Sequence, residues 1–219
     1  AAYLNIPFLI SRNIVGALLL FGVGIYFAYL TIRPDMGRVS EEGLDAGQKA
    51  WRERLMAGWR GQEEEEQNSW NRMSRLAPAM ALMYGMIMAF FAYDWAMSLD
   101  PHWFSTLFGG WYFMGAFWGG VAVTAFTGMW LRGKDKDMAK FIGLQQRHDI
   151  GKLSFAFTVF WTYLFFAQYI VIWYGKLPWE QHYIIARSGE GWGAYSLTVI
   201  VLCFLIPFMG LIGRKAKMT

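Results

Sequence analysis

The stretch "AYDWAMSLDPHWFSTLFGGWYF", residues Ala92–Phe113, places two carboxylates and an imidazole between two apolar runs. Asp94 falls inside the end of the first run. Asp100 and His102 fall in the short link that follows. A charge at the centre of a bilayer helix costs roughly 3 kcal/mol, and less near its ends. A carboxylate kept there is either neutral or stabilised by a partner. Two uses fit Asp94: a proton-exchanging group on an outward half-path, or a carboxylate bonded to a neighbouring helix or an interfacial water. Asp100-Pro101 is turn chemistry. His102 beside it is a proton-relay candidate.

A second group opens the run "QQRHDIGKLSF". Asp149 and Lys152 are three apart and can pair on one helix face, with His148 beside them. Further along, Ser154, Thr158 and Thr162 repeat every four residues. Tyr169 continues near that line, and Gln168 lies at its edge. Such a stripe can carry protons or water. Equally, its hydroxyls can bond back to the i−4 carbonyls or across to another helix. The Asp149–Lys152 pair reads either as an interfacial anchor or as the inner mouth of that path.

Other chemistry finds little support. The three histidines, His102, His148 and His182, all fall in links or at helix mouths, away from where facing helices would hold a b-type haem. There is no C-x-x-C-H, no P-loop and no His/Glu cluster at metal spacing. The one cysteine, Cys203, sits in an apolar run and reads as a small hydrophobe. The chain is expected to hold no redox metal of its own. Quinone binding, proton movement, transport and scaffolding remain.

The elements that must position these residues are membrane helices. Of 219 residues, 56% are hydrophobic and only 16% charged, against about 25% charged in a soluble domain. Five segments reach the roughly 20 apolar residues that a span needs: 13–32, 76–98, 109–131, 150–174 and 192–212. The expected fold is an all-α polytopic transmembrane bundle. It divides into a pre-helix segment and first span (1–32), a charged connector (33–75) and a four-helix segment (76–219). The connections alternate in basic residues: eight over 33–75, none over 99–108, five over 132–149, two over 175–191 and three after 212. The positive-inside rule then puts the N-terminus outside, the C-terminus inside, and Asp94, Asp100 and His102 at the outer face.

Within the connector, Leu44, Trp51, Leu55 and Trp59 at helical spacing suggest a helix lying in the headgroup region, or a solvated connector packed on a partner. Glu63–Glu66 reads as a solvated charge run. In the third span Ala116, Gly120, Thr124 and Gly128, with Gly115 and Gly119 beside them, make a small-residue face for close helix packing. Trp103, Trp111, Trp173, Tyr174, Trp179 and Trp192 read as interfacial belts, on some of which a quinone ring could stack. The sequence opens "AAYLNIPFLI" without Met or a signal-peptide pattern, and a piece of a longer protein is expected.

"DWAMSLDPHWFSTLFGGWYFMG" and "HDIGKLSFAFTVFWTYLFFAQYIVIWYGKLP" resemble the two long signature stretches of the ActF-like membrane subunit of alternative complex III, an NrfD/polysulfide-reductase-like membrane protein. "AAYLNIPFLISRN" is similar to its pre-helix segment, and the likeness weakens after Pro178. The resemblance implies a subunit of a quinol:cytochrome c oxidoreductase in the bacterial cytoplasmic membrane. It implies partners that include a homologous subunit with the quinol site, an iron–sulfur subunit and c-type cytochromes. The complex's substrate would be menaquinol or ubiquinol, and the role of this chain would be proton conduction and support. No nucleic acid is expected. Two other readings stand beside it: the chain itself forms a quinol pocket, or it is a transporter or scaffold.

Overall fold

The computed structural model describes residues 3, 5–189, 191–215 and 217. Ala1, Ala2 and Leu4, part of the expected pre-helix segment, lie outside the described residues, as do Glu190 and the terminal Ala216, Met218 and Thr219. Among the described residues five helices are long and apolar enough to cross a membrane: Ile6–Asp35, Gln62–Leu99, Thr106–Lys134, Leu144–Gly175 and Gly193–Leu211. The chain is a multi-pass, all-helical membrane protein. It divides into two compact units, Ala1–Ile87 and Met88–Thr219.

The first unit holds α1 (Ile6–Asp35), α2 (Ala46–Leu55) and most of α3 (Gln62–Phe91). Pro7 suits the first turn of α1, where a missing N–H costs nothing. The helix runs through Arg33-Pro34 rather than stopping there, because Pro34 sits in its last turn. α2 opens with a capping box: the Gln48 N–H donates to Asp45 Oδ1 at 2.8 Å, and the Asp45 N–H donates to Gln48 Oε1 at 3.0 Å. None of its residues is buried, and Trp51 is exposed. The expected helical face over 44–59 is broken at both ends. Asp45 starts the helix after Leu44, and Gly58 and Gly61 adopt positive φ (71° and 122°) before α3.

α3 starts fourteen residues ahead of the expected span and takes in the whole acidic run. Three glutamates in its first turn match the positive end of the helix dipole. The run is not uniformly solvated. Glu65 is buried, and with Ser69 it faces the C-terminal part of α1.

The second unit begins in the last residues of α3, which pass into a π-helical turn (Ala92–Ala96) and a short 3₁₀ turn (Met97–Leu99). It continues through α4 (Thr106–Lys134), α5 (Lys136–Phe141), α6 (Leu144–Gly175), α7 (Pro178–Ser188), α8 (Gly193–Ile200), a second π-helical turn (Val201–Leu205) and α9 (Ile206–Leu211). α6 ends cleanly because Lys176 turns left-handed (φ 51°) and Pro178 then starts α7.

α4 and α6 pack antiparallel through aromatic pairs: Trp111–Trp161 at 5.4 Å, Trp118–Trp161 at 6.0 Å and Phe117–Phe157 at 5.0 Å between ring centres. Close approach is made at Gly115, at the edge of the expected small-residue face, and at Gly109 near the helix start, while Gly128 meets Ile142 at an ordinary 3.7 Å. A Cβ on Gly115 would lie 3.0 Å from Trp161 Nε1, and one on Gly109 would lie 2.8 Å from the Tyr93 ring. Ala116, Gly120 and Thr124 are exposed, and nothing lies within 4 Å of a Cβ built on Gly120.

Candidate functional site

The core of the second unit is Ala92, Trp103, Phe108 and Ile172. Trp103 is therefore a core residue, 3% exposed, and not part of an interfacial belt. Its indole stacks on Tyr183 at 3.6 Å with planes 10° apart, and meets the Phe108 ring edge-on at 5.4 Å. Tyr183 is positioned by α7, which Pro178 starts. Four residues on, the Arg187 guanidinium covers the other part of this cluster, 3.4 Å from the Tyr183 ring centre. Burial pushes the Tyr183 phenol above its ordinary range. The Arg187 charge pulls it back, and the Asp100 carboxylate adds to the push.

Beside this cluster lies a cavity of about 580 Å³, within the range of small-molecule sites. α4 contributes Phe108 and Trp111 to its wall. α6 contributes Trp161, Phe165, Gln168 and Tyr169, α7 contributes Tyr183 and Arg187, and α8 contributes the more exposed Tyr195 and Ser196. The lining is mostly aromatic, with a few polar atoms. Gln168 is 9% exposed and donates to the Leu164 carbonyl at 3.3 Å. The buried Trp111 Nε1–H has no acceptor among the described residues. An amphiphile with a flat ring would find stacking faces here.

The residues singled out by sequence fall into two groups at opposite ends of α6. Asp94 lies in the π-helical turn, half-buried, and its carbonyl accepts from Ser98 Oγ at 2.6 Å. Asp100 is half-buried and its carbonyl accepts the Trp103 N–H at 3.1 Å, while His102 is exposed. These flank the C-terminal end of α6 through the Trp103–Ile172 core. At the other end, Lys152 Nζ stands 2.7 Å from Asp149 Oδ1, both sides about half exposed, and Gln145 donates to Asp149 Oδ2 at 2.9 Å. His148 is half-buried beside them. From position 149 to 172 the helix rises about 35 Å, so the groups do not meet directly.

Between them, Ser154 and Thr158 are buried, and Thr158 is fully so. The Thr158 hydroxyl donates to the Ser154 carbonyl and the Thr162 hydroxyl to the Thr158 carbonyl, both at 2.9 Å. Each hydroxyl's proton is thus committed to its own helix in this structure. Tyr169 turns to the cavity and stacks near Phe166 and Trp173. Among the described residues no three His, Cys, Asp or Glu side chains gather as a metal would need.

Sequence reasoning missed the Trp103–Tyr183–Arg187 cluster, since Trp103 and Tyr183 are 80 residues apart. The i, i+4 spacing of Tyr183 and Arg187 was the readable part. No protein-family model matches the chain. No curated protein matches its sequence.

Proposed function

We propose that this chain is a membrane subunit of a quinol-oxidising complex of the alternative complex III kind, seated in the bacterial cytoplasmic membrane with its N-terminus periplasmic. In this reading partner subunits carry c-type haems and iron–sulfur clusters, and the chain contributes proton conduction and support. One observation carries the reading. The two stretches that bear the resemblance, 94–115 and 148–178, pack against each other and together build most of the core and half of the cavity wall. The ionisable side chains then fall at the two mouths of α6, where a proton path would open to water. Purification from native membranes in mild detergent tests it. Iron–sulfur and c-type cytochrome subunits should accompany the chain, with quinol oxidation in the same fraction. A chain that purifies without redox partners would overturn it.

A second reading is favoured by the cavity itself, in which the chain binds the quinone ring. Its aromatic walls, with Gln168 among them, suit a neutral dicarbonyl ring. Purified protein should then carry quinone that Trp111→Ala and Gln168→Leu deplete. Unchanged quinone content in both variants would remove this reading.

A further inference from the structure

In the first unit, a cleft of about 160 Å³ lies between the C-terminal part of α1 and the N-terminal part of α3. Its wall includes Arg33, Arg60, Glu65, Asn68, Ser69 and Arg72. Arg33 and Glu65 answer each other: Nε to Oε2 is 2.7 Å and Nη2 to Oε1 is 2.9 Å, so both carboxylate oxygens are occupied. Arg60 meets Glu64 at 3.3 Å on the exposed surface. Arg72 has no carboxylate partner among the described residues, and makes one long contact of 3.4 Å with the Tyr26 hydroxyl. The cleft wall therefore carries three guanidiniums against one carboxylate, and Glu64, which meets Arg60, lies outside it.

The neutral groups point the same way. Ser69 is 3% exposed, and its hydroxyl has no hydrogen-bond partner among the described residues; neither has the half-buried Asn68 amide. The Ser69 hydroxyl keeps enough access to reach an acceptor seated in the cleft. The α3 dipole favours an anion here and the α1 dipole opposes it. The balance is left to the guanidiniums and these donors. Guanidiniums match the oxygens of a phosphate group, and the cleft's size suits one phosphate better than a ring or chain.

We propose that this cleft binds a phosphate group, carried by a phospholipid headgroup or by a small soluble phosphate. The proposal is independent of the quinol reading. It stands on the excess guanidinium of Arg72, the unbonded Ser69 hydroxyl and the closed Arg33–Glu65 pair. On the positive-inside reading, the cleft lies at the level of the cytoplasmic headgroups.

Native mass spectrometry of the delipidated full chain tests it. Three probes are added separately: phosphatidylglycerol, inorganic phosphate and the phosphate-free lipid monogalactosyldiacylglycerol. One phosphate-bearing adduct should be retained. Arg72→Gln should weaken it roughly fivefold, as removal of one surface cation does; Ser69→Ala should weaken it too, and Lys49→Gln should not. Retention of phosphatidylglycerol supports the headgroup as the source, and retention of inorganic phosphate alone supports a soluble one. Equal retention of the phosphate-free lipid overturns the proposal. So does an adduct indifferent to both Arg72→Gln and Ser69→Ala, or the absence of any phosphate adduct. Arg72 is exposed, so that variant is expected to fold, which its thermal unfolding checks.

Discussion

Arg33 near the end of α1 grips Glu65 near the start of α3 by two parallel N–H···O bonds, with side chains only 13% and 8% exposed. The same guanidinium also donates to the Tyr29 hydroxyl and, at 3.2 Å, to the Ala57 carbonyl. One side chain thus gathers α1, the α2–α3 connection and α3. Removing one partner leaves the other charge buried and uncompensated, at a cost of roughly 3–5 kcal/mol. Arg33→Met and Glu65→Leu should each lower the thermal stability of the detergent-solubilised chain. The double variant should recover much of the loss. Strictly additive losses would mean that the pair is not a unit.

The two kinds of glycine on α4 should behave in opposite ways. Gly109→Ala drives a Cβ to 2.8 Å from the Tyr93 ring, an overpacking that costs about 1–3 kcal/mol. Gly120→Ala meets nothing within 4 Å and removes a helix-interior glycine, a gain of up to about 1 kcal/mol. Thermal unfolding of the isolated chain separates them. If Gly120→Ala keeps the isolated chain intact yet blocks assembly with other subunits, that face belongs to an interface.

Trp103→Ala should be among the most damaging single changes. It empties a site 3% exposed and removes the Tyr183 stack and the Phe108 edge contact. Large-to-small changes of this kind cost about 3–5 kcal/mol. Trp173→Ala, at a residue 59% exposed, should cost far less in the same assay.

Topology is testable because the chain has one native cysteine, Cys203, which can be replaced. Single cysteines at positions 102 and 134 should react oppositely with an impermeant maleimide on intact spheroplasts, with 102 labelled and 134 protected. Labelling at 134 but not at 102 would invert the orientation.

Asp94→Asn keeps the shape and most hydrogen-bonding capacity of the side chain but cannot exchange a proton. In proteoliposomes of the assembled complex it should reduce proton translocation more than quinol oxidation. Normal pumping by an assembled Asn variant would leave Asp94 a structural hydrogen-bonding residue.

The spans were legible because twenty apolar residues in a row admit few other folds; four expected segments fall inside a helix of the structure and the fifth overhangs its helix by one residue at each end, although the first two helices begin seven and fourteen residues earlier than expected. Asp149 and Lys152 pair as their i, i+3 spacing implied. Glu65 was misread because a run of four glutamates has no phase until something docks on one side of the helix, and Arg33 does so from 32 residues away. The small-residue face on α4 was legible only in part for a similar reason. Spacing shows that a close approach is possible on several sides of a glycine-rich helix. The bulky partner decides which side is used, and here Tyr93 and Trp161 select Gly109 and Gly115. The cavity could not be read at all, since its walls come from four helices and its character from gaps between rings.

The π-helical turns at Ala92–Ala96 and Val201–Leu205 each hold one residue more than an α-helix needs over the same rise. Loss of a single codon in either stretch could therefore be absorbed as ordinary α-helix, without breaking the span. The chain beyond it would keep nearly its present bearing, because four α-helical residues turn through about the same angle as five in the wider turn. In the first stretch Ser98 and the approach to Trp103 would stay close to where they are. The two turns are thus places where a one-residue deletion preserves both membrane crossing and the neighbours that the following segment meets.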